Sequence, residues 1–309
     1  MTGQEKPVAI LLSTYNGARF LPQQLDSLTA QTHRAWTILW RDDGSSDGTV
    51  ALMRGFGATL GPGRFQDLCD GRHLHILGSF LRLLDIAHAG PAELFAFSDQ
   101  DDVWLPGKLA RGAAALAAVP ADVPALYCAR QTLVDASLRR LGESPKLHRP
   151  PGFPAALAQN IATGCTIMLN RAAAGLVLAS TRPEGESHDW WCYLVVSAAG
   201  GRVIADHEPA LLYRQHRANT IGAPQNHWRR FLAAVRRGPR PFIAGLRANV
   251  ASLRARPDLL SPEARRQLEV IASALDGGPR CRLSALRLPG FRRQTLSETI
   301  IFYLWFLMG

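Results

Sequence analysis

Lysine is nearly absent from this 309-residue chain. Lys6, Lys108 and Lys146 are the whole set, so the 35 basic residues are almost all arginines. Five cysteines (Cys69, Cys128, Cys165, Cys192 and Cys281) stand at scattered spacings without a C-x-x-C pair. An odd, dispersed set argues against a disulfide framework or structural zinc and fits a reducing cytoplasm. No run approaches the ~18 apolar residues of a membrane-spanning helix; the longest candidate, residues 299–308, falls short. A basic n-region and a small-residue cleavage site are both missing at the start, so no secretory signal is expected. The first loop is not G-x-G-x-x-G, and no G-x-x-x-x-G-K-[ST] occurs, which sets aside the dinucleotide fingerprint and the P-loop. What is present is a globular composition, 47% hydrophobic and 19% charged, which excludes a wholly disordered chain.

The net charge of +10 is unevenly placed. Residues 1–213 carry 18 basic against 20 acidic side chains, whereas residues 214–293 carry 17 arginines against Asp258, Glu263, Glu269 and Asp276. A nearly neutral body is followed by a strongly basic segment and an apolar tail. Nucleic acid, an anionic membrane surface or an anionic substrate would each suit such a segment, as would a solvated helical face.

The first half alternates short apolar runs with helical stretches, the pattern of a parallel sheet with crossover helices. Strands are expected at residues 8–13, 36–40, 74–77, 94–97, 126–128, 165–169 and 211–213. Helices are expected at 19–31, 49–56, 80–88, 106–119 and 189–199. A Pro-rich loop at 144–154 is a candidate lid or insertion. Beyond residue 225 only helical patterns follow, at 228–236, 242–254, 262–275 and 296–308. The division predicted is a catalytic body, 1–225, and a helical, basic extension, 226–309.

Three of the expected strands end in polar clusters. These are Ser13-Thr14-Tyr15-Asn16-Gly17, Arg41-Asp42-Asp43-Gly44-Ser45 and Ser98-Asp99-Gln100-Asp101-Asp102. In an open parallel sheet, ligands bind outside the carboxyl ends of the strands. One cluster would be a turn, but three at one edge make a binding crevice. Tyr15 could stack on a nucleotide base, and Asp42 or Asp43 could accept from its ring N–H, although an Asx turn explains residues 42–47 equally well. Three carboxylates in residues 99–102 repel one another unless a cation neutralises them. Hard Mg²⁺ or Mn²⁺ commonly bridges such carboxylates to phosphates. A solvated acidic turn before a helix is the simpler alternative.

Taken in order, these three clusters, with the extension Val103-Trp104-Leu105-Pro106, resemble the family-2 glycosyltransferases. The S-D-Q-D-D-x-W form and Asn160-Ile161-Ala162-Thr163-Gly164-Cys165-Thr166 resemble the bacterial subgroup containing rhamnosyltransferases of surface-polysaccharide assembly. The resemblance spans about residues 7–222. It implies an α/β GT-A fold, Rossmann-like, with a mostly parallel central sheet flanked by helices. It also implies a nucleoside-diphosphate sugar donor (dTDP- or UDP-linked), with Thr14, Tyr15, Asn16, Asp42, Asp43, Asp99, Gly164 and Arg214 holding it. Asp99 and Asp101 match the family's D-x-D element, with Asp101 the more direct ligand of Mg²⁺ or Mn²⁺ and His216 near the metal or diphosphate. Asp189 matches the catalytic base; a plain helix N-cap would also suit its position. Of Trp190 and Trp191, one suits the core and the other a sugar ring of the acceptor.

The resemblance further implies inversion and an acceptor that is a glycan or lipid-linked. Processive synthases of the same fold carry Q-x-x-R-W. Gln225-Asn226-His227-Trp228-Arg229 does not match it, which favours single additions. Arginines interleaved with Phe231, Leu232, Phe242, Ile243, Leu246, Val250 and Leu253, and the aromatic tail at 300–308, have an interfacial composition. With a lipid-linked acceptor, that composition suits peripheral association with the cytoplasmic face of the inner membrane; an ordinary helical subdomain or a dimer interface is the alternative. A nucleic-acid-binding protein and a non-catalytic scaffold are the competing classes. No zinc-finger or RRM signature supports the first, and Asp99, Asp101 and Asp189 together argue against the second. The sugar, acceptor, linkage and oligomeric state stay open.

Overall fold

The structure is a computed structural model and describes residues 5–216 and 238–309. The helix expected at 228–236, with Phe231 and Leu232, the stretch 225–229 and the boundary near residue 225 lie outside the described residues.

Along the chain run β1 (Val8–Thr14), α1 (Leu21–Thr29), β2 (Trp36–Asp42), α2 (Thr49–Thr59), β3 (Phe65–Asp67), α3 (His75–Ala89) and β4 (Leu94–Ser98). Then come β5 (Val103–Trp104), α4 (Lys108–Ala117), β6 (Ala125–Val134), β7 (Arg140–Glu143), α5 (Ala155–Ala158), β8 (Met168–Asn170), α6 (Arg171–Ala179), α7 (His188–Ala198) and β9 (Arg202–Arg214). Among the described residues four further helices follow: α8 (Pro239–Arg254), α9 (Pro262–Asp276), α10 (Pro279–Ala285) and α11 (Leu296–Met308). The nine strands form one sheet in the order β3-β2-β1-β4-β8-β6-β9-β5, with β7 hydrogen-bonded to β6. Strands β3, β2, β1 and β4 are mutually parallel, as are β6 and β9; β5, β7 and β8 run antiparallel to their neighbours.

Alternation along β1 divides the core. Val8, Ile10 and Leu12 point into one apolar cluster with Leu21, Leu25 and Leu28 of α1, Met53 of α2 and Leu109 and Leu116 of α4. Ala9 and Leu11 point into the other, with Phe80, Leu83 and Leu84 of α3 and Trp191 and Leu194 of α7. A strand buried on both faces must be apolar at every position, which is why β1 reads as a continuous hydrophobic run. The second cluster continues without a break into Ile243, Leu246 and Val250 of α8, Leu268 and Ile271 of α9 and Phe302 and Phe306 of α11.

Two expectations need correction. Residues 74–77 are not a strand but lead into α3, because the buried set Ser79, Phe80, Leu83, Leu84 and Ala87 has helical spacing. The strand beside β2 is Phe65–Asp67. The stretch expected as a strand from Cys165 begins with a 3₁₀ turn, Gly164–Thr166, before β8. The Pro-rich loop is tied down: the amides of His148 and Arg149 donate to Gln294 Oε1 at 2.9 and 3.0 Å. No helix among the described residues is long and apolar enough to cross a membrane.

Candidate active site

The register places Thr14 beside Asp42 and Leu12 beside Ser98, so β1, β2 and β4 release their loops at one edge. Those loops are sewn together. Gln100 Oε1 accepts from the Tyr15 amide (2.8 Å), and its Nε2 donates to the Tyr15 carbonyl (2.9 Å). Asn16 stands in the left-handed region (φ 48°), which a short amide side chain tolerates. Its Oδ1 accepts from the Ser46 amide (2.8 Å), and its own amide donates to Ser45 Oγ (2.8 Å). Gly17 is required by close approach, since a Cβ there would lie 2.2 Å from Gln100 Oε1. Nothing in local propensity marks Gln100 as a clamp; its only signal was its place inside the S-D-Q-D-D run.

The Asp42 carboxylate accepts from Thr14 Oγ1 (2.8 Å), the Gly44 and Ser45 amides (3.0 and 2.7 Å) and Ser45 Oγ (2.6 Å). Thr14 Oγ1 in turn accepts from Trp40 Nε1 at 2.9 Å. Asp43 takes the Arg41 guanidinium (2.8 Å) and the Leu74 amide (2.7 Å). Burial works to raise the Asp43 pKa, but the Arg41 hydrogen bond and the Leu74 amide outweigh it and hold the carboxyl below its ordinary range. Both carboxylates therefore shape the loop that faces the crevice, while the Tyr15 ring is more than half exposed beside it.

The acids after β4 divide by depth. Asp99 and Asp101 are half-buried, and Asp102 is fully buried. Asp101 Oδ2 lies 2.8 Å from His216 Nε2, which joins the end of β9 to the D-x-D turn. Burial, then the charges of Asp101 and Asp189, push the Asp99 carboxyl up to about 7. Asp102 is raised well above the carboxylate range by burial and by Asp101 and Asp99. Its Oδ1 accepts from the Arg214 amide (3.3 Å), and its Oδ2 has no hydrogen-bond partner among the described residues.

Beneath the turn, Lys108 sits with its ammonium 3.3 Å from the Trp104 ring centroid, its pKa lowered by burial to about 7. Oxygens of Asp99 and Asp102 and Cys165 Sγ lie within 4.8 Å of one another. Burial raises the Cys165 thiol well above its usual pKa, so it is a poor ligand for a hard cation. The more accessible donors are Asp99, Asp101 and His216. Arg214 is buried: Nε donates to the Asp101 carbonyl (2.7 Å), one terminal nitrogen to the Ala136 carbonyl (2.7 Å) and the other to Gln23 Oε1 (2.6 Å). Its guanidinium braces the D-x-D turn from below.

Asp189 opens α7, and its charge acts on Asp99. Its Oδ2 accepts from the Gly164 amide (3.2 Å) and Oδ1 from the Trp190 amide (2.6 Å); each oxygen keeps a second lone pair. His188, a residue sequence reasoning passed over, is buried against Phe80 and Phe97, with ring centroids 4.4 and 4.9 Å away. A Cβ on Gly164 would lie 2.7 Å from His188 Nε2, so glycine lets that amide reach Asp189. Of the two tryptophans, Trp191 is buried in the core, donating to Ser180 Oγ (2.8 Å). Trp190 is half-buried and donates to the Ala156 carbonyl (2.7 Å).

Residues 9–174 match the family described as Glycosyl transferase family 2. Over 225 residues the chain is 25% identical to the dTDP-rhamnosyl transferase RfbG of Shigella flexneri, covering 69% of this chain and 74% of the relative. A shorter match, 32% over 104 residues, covers 34% of this chain and 31% of an uncharacterized glycosyltransferase of Nostoc. The fold is shared with S. aureus TarS 1-349 solved with UDP-GlcNAc (TM-score 0.60, 13% identity, 87% of this chain and 72% of that one). It is also shared with the Pyrobaculum calidifontis mannosyltransferase PcManGT solved with GDP-Man and Mn²⁺ (TM-score 0.52, 15% identity, 99% and 87%). A matched segment covering more than half of the chain, on a GT-A fold with acidic loops gathered at the sheet edge, makes this protein a member of glycosyltransferase family 2.

Proposed function

We propose that the protein transfers a single sugar, with inversion and with the help of a divalent cation, from a nucleoside-diphosphate sugar to a glycan or lipid-linked acceptor. The observation that carries this reading is the gathering of three loops at one sheet edge, where Gln100 ties the D-x-D turn to Tyr15 and Asp101 Oδ2 lies 2.8 Å from His216 Nε2, with Asp189 near enough for its charge to help raise the Asp99 pKa. Like charges held together favour a cation between them and a diphosphate. The oxygen donors of Asp99 and Asp101, with the His216 nitrogen beside them, fit Mg²⁺ or Mn²⁺. Bound there, such an ion supplies Lewis-acid stabilisation of the departing diphosphate.

The chain's own residues supply the rest. Tyr15 offers a face to the base, and the Gln100 clamp holds its backbone at the crevice. Asp189 takes the proton of the acceptor hydroxyl as that oxygen bonds to the anomeric carbon and the bond to the diphosphate breaks. Attack opposite the leaving group inverts the anomeric centre. Trp190 stands next to that carboxylate, on the acceptor side. Similarity to a dTDP-rhamnosyl transferase favours dTDP-rhamnose as donor, and the subgroup resemblance of residues 98–104 and 160–166 favours surface-polysaccharide assembly, of O-antigen or capsule type, as the setting.

A panel of nucleotide sugars, scored for binding and donor hydrolysis with Mg²⁺, with Mn²⁺ and with chelator, tests the reading. The expected result is cation-dependent turnover of one donor, lost in Asp189→Asn. Cation-independent turnover, or full activity of that variant, would refute it.

A further inference from the structure

The last helix departs from the rule that an exposed helical face is polar. In α11 the buried side is Thr299, Phe302, Trp305 and Phe306. Its outer side is also apolar: Leu296, Ile300, Leu304 and Met308, four residues apart, are 69%, 52%, 53% and 66% exposed. Leu283 on the neighbouring α10 is 49% exposed. A helix apolar all round belongs in a core or against lipid, and contiguous exposed aliphatic side chains mark an interaction site.

The surrounding charge is of one sign. Residues 277–309 contain five arginines and one acid, Glu298, which is spent in the capping box with Thr295. The ion pairs just upstream join Arg247 to Asp276, Arg254 to Glu269, Arg256 to Asp258 and Arg266 to Glu263, leaving Arg280, Arg287 and Arg292 exposed outside them.

We propose that the outer face of α11, with exposed Arg280, Arg287 and Arg292 in the segment that leads into it, seats the protein on an anionic bilayer, with Leu296, Ile300, Leu304 and Met308 entering the headgroup–acyl boundary. Aliphatic side chains flanked by cations are the composition of an interfacial helix, and each basic residue near an anionic leaflet strengthens the attachment. Phe302 and Phe306 on the other side of α11 are packed in the protein core, so the helix offers only one face to lipid and lies on the surface. Pairing with a second copy through the same face would set like arginines opposite one another, which disfavours that occupant.

The face is also wired to the acceptor side. Just before α11, Arg293 Nε donates to the Ala158 carbonyl (2.9 Å) and the Gln294 amide to Gln159 Oε1 (2.8 Å). The same α5 segment receives Trp190 Nε1, next to Asp189. Docking would therefore hold the acceptor end of the crevice at a fixed relation to the lipid surface. That consequence rests on the proposed transfer; the docking does not.

The test is flotation of the full chain with vesicles of phosphatidylglycerol and phosphatidylcholine in about equal parts, and with phosphatidylcholine alone. Binding is expected only to the anionic vesicles and should weaken with salt. The double variant I300E/L304E should reduce it by about tenfold or more, from the loss of two buried aliphatic side chains, while donor binding is unchanged. Should that variant fold poorly, R287Q/R292Q provides a second reading: selectivity for anionic vesicles should fall with the apolar face intact. Wild-type protein that stays in solution, or I300E/L304E that binds as well as wild type, overturns the proposal. So does a dimer in light scattering that this variant dissociates. Because donor binding is read separately, failure of docking and failure of the catalytic reading are distinguishable.

Discussion

The side-chain amide of Gln100 closes a two-bond ring with the backbone of Tyr15, accepting from its N–H at 2.8 Å and donating to its carbonyl at 2.9 Å. That ring joins the loop after β1 to the loop after β4. It makes the Tyr15 loop and the D-x-D turn a single unit.

Replacing Gln100 with Ala should loosen that unit without unfolding the sheet. Two neutral hydrogen bonds at about 1 kcal/mol each set a loss in donor affinity of up to ~30-fold. Titration calorimetry with the preferred donor would read it, and unchanged affinity would show that the loops are held by other means.

Asp101→Ala should remove the cation dependence of donor binding, and His216→Ala should weaken it less. Both follow from the 2.8 Å contact between His216 Nε2 and Asp101 Oδ2. Donor affinity with and without Mn²⁺ is the measurement. A full cation response in Asp101→Ala would move the metal elsewhere.

Asp189→Asn keeps the shape of the α7 terminus and an oxygen to accept from Gly164 or Trp190. Donor affinity should persist while transfer falls by roughly 10²–10⁴, the usual contribution of a positioned base. Gly164→Ala should act on the same step indirectly, because its Cβ would press on His188 Nε2 at 2.7 Å and disturb the amide that holds Asp189. The expected sign is a lower kcat with little change in donor KM. Equal kcat in Gly164→Ala would mean that the imidazole yields at no cost.

Asp43→Asn should destabilise the fold by roughly 3 kcal/mol at neutral pH, because it leaves Arg41 buried with one fewer charged partner. The folded pKa of Asp43 is lowered, since the Arg41 hydrogen bond and the Leu74 amide overcome burial. Its stabilisation is therefore present above the unfolded value near 3.9 and is lost as pH falls through the lower folded value. Urea melts of both proteins at neutral pH and at mildly acidic pH should show a constant gap. The gap should narrow only below about pH 4; a gap that closes at higher pH contradicts the assignment.

Much of the body could be read directly from residue patterns. Strands β1, β2 and β4 were legible because a strand covered on both faces is apolar at each position, and each ended in a polar cluster at the ligand edge. Residues 74–77 misled for the same reason, since a short apolar run is equally a strand or the first turn of a helix. The two-residue β5 and the hairpin strand β7 carry too few side chains to show a period.

Chain order and residue type were sufficient for an α/β body, for acidic loops at strand ends and for the basic, apolar character of the C-terminal part. Long-range contact was needed for the rest. It showed that Asp42 and Arg214 direct hydrogen bonds to loops, that Trp191 is core while Trp190 is half-buried and bonded to the Ala156 carbonyl, and that Gln100 and His188 pack against the candidate site residues. It also showed which side of α11 is left uncovered. Periodicity reports how often a side chain returns to a face; what covers that face depends on segments far apart in sequence, such as Gln23 and Arg214, 191 residues apart, and no local pattern encodes them.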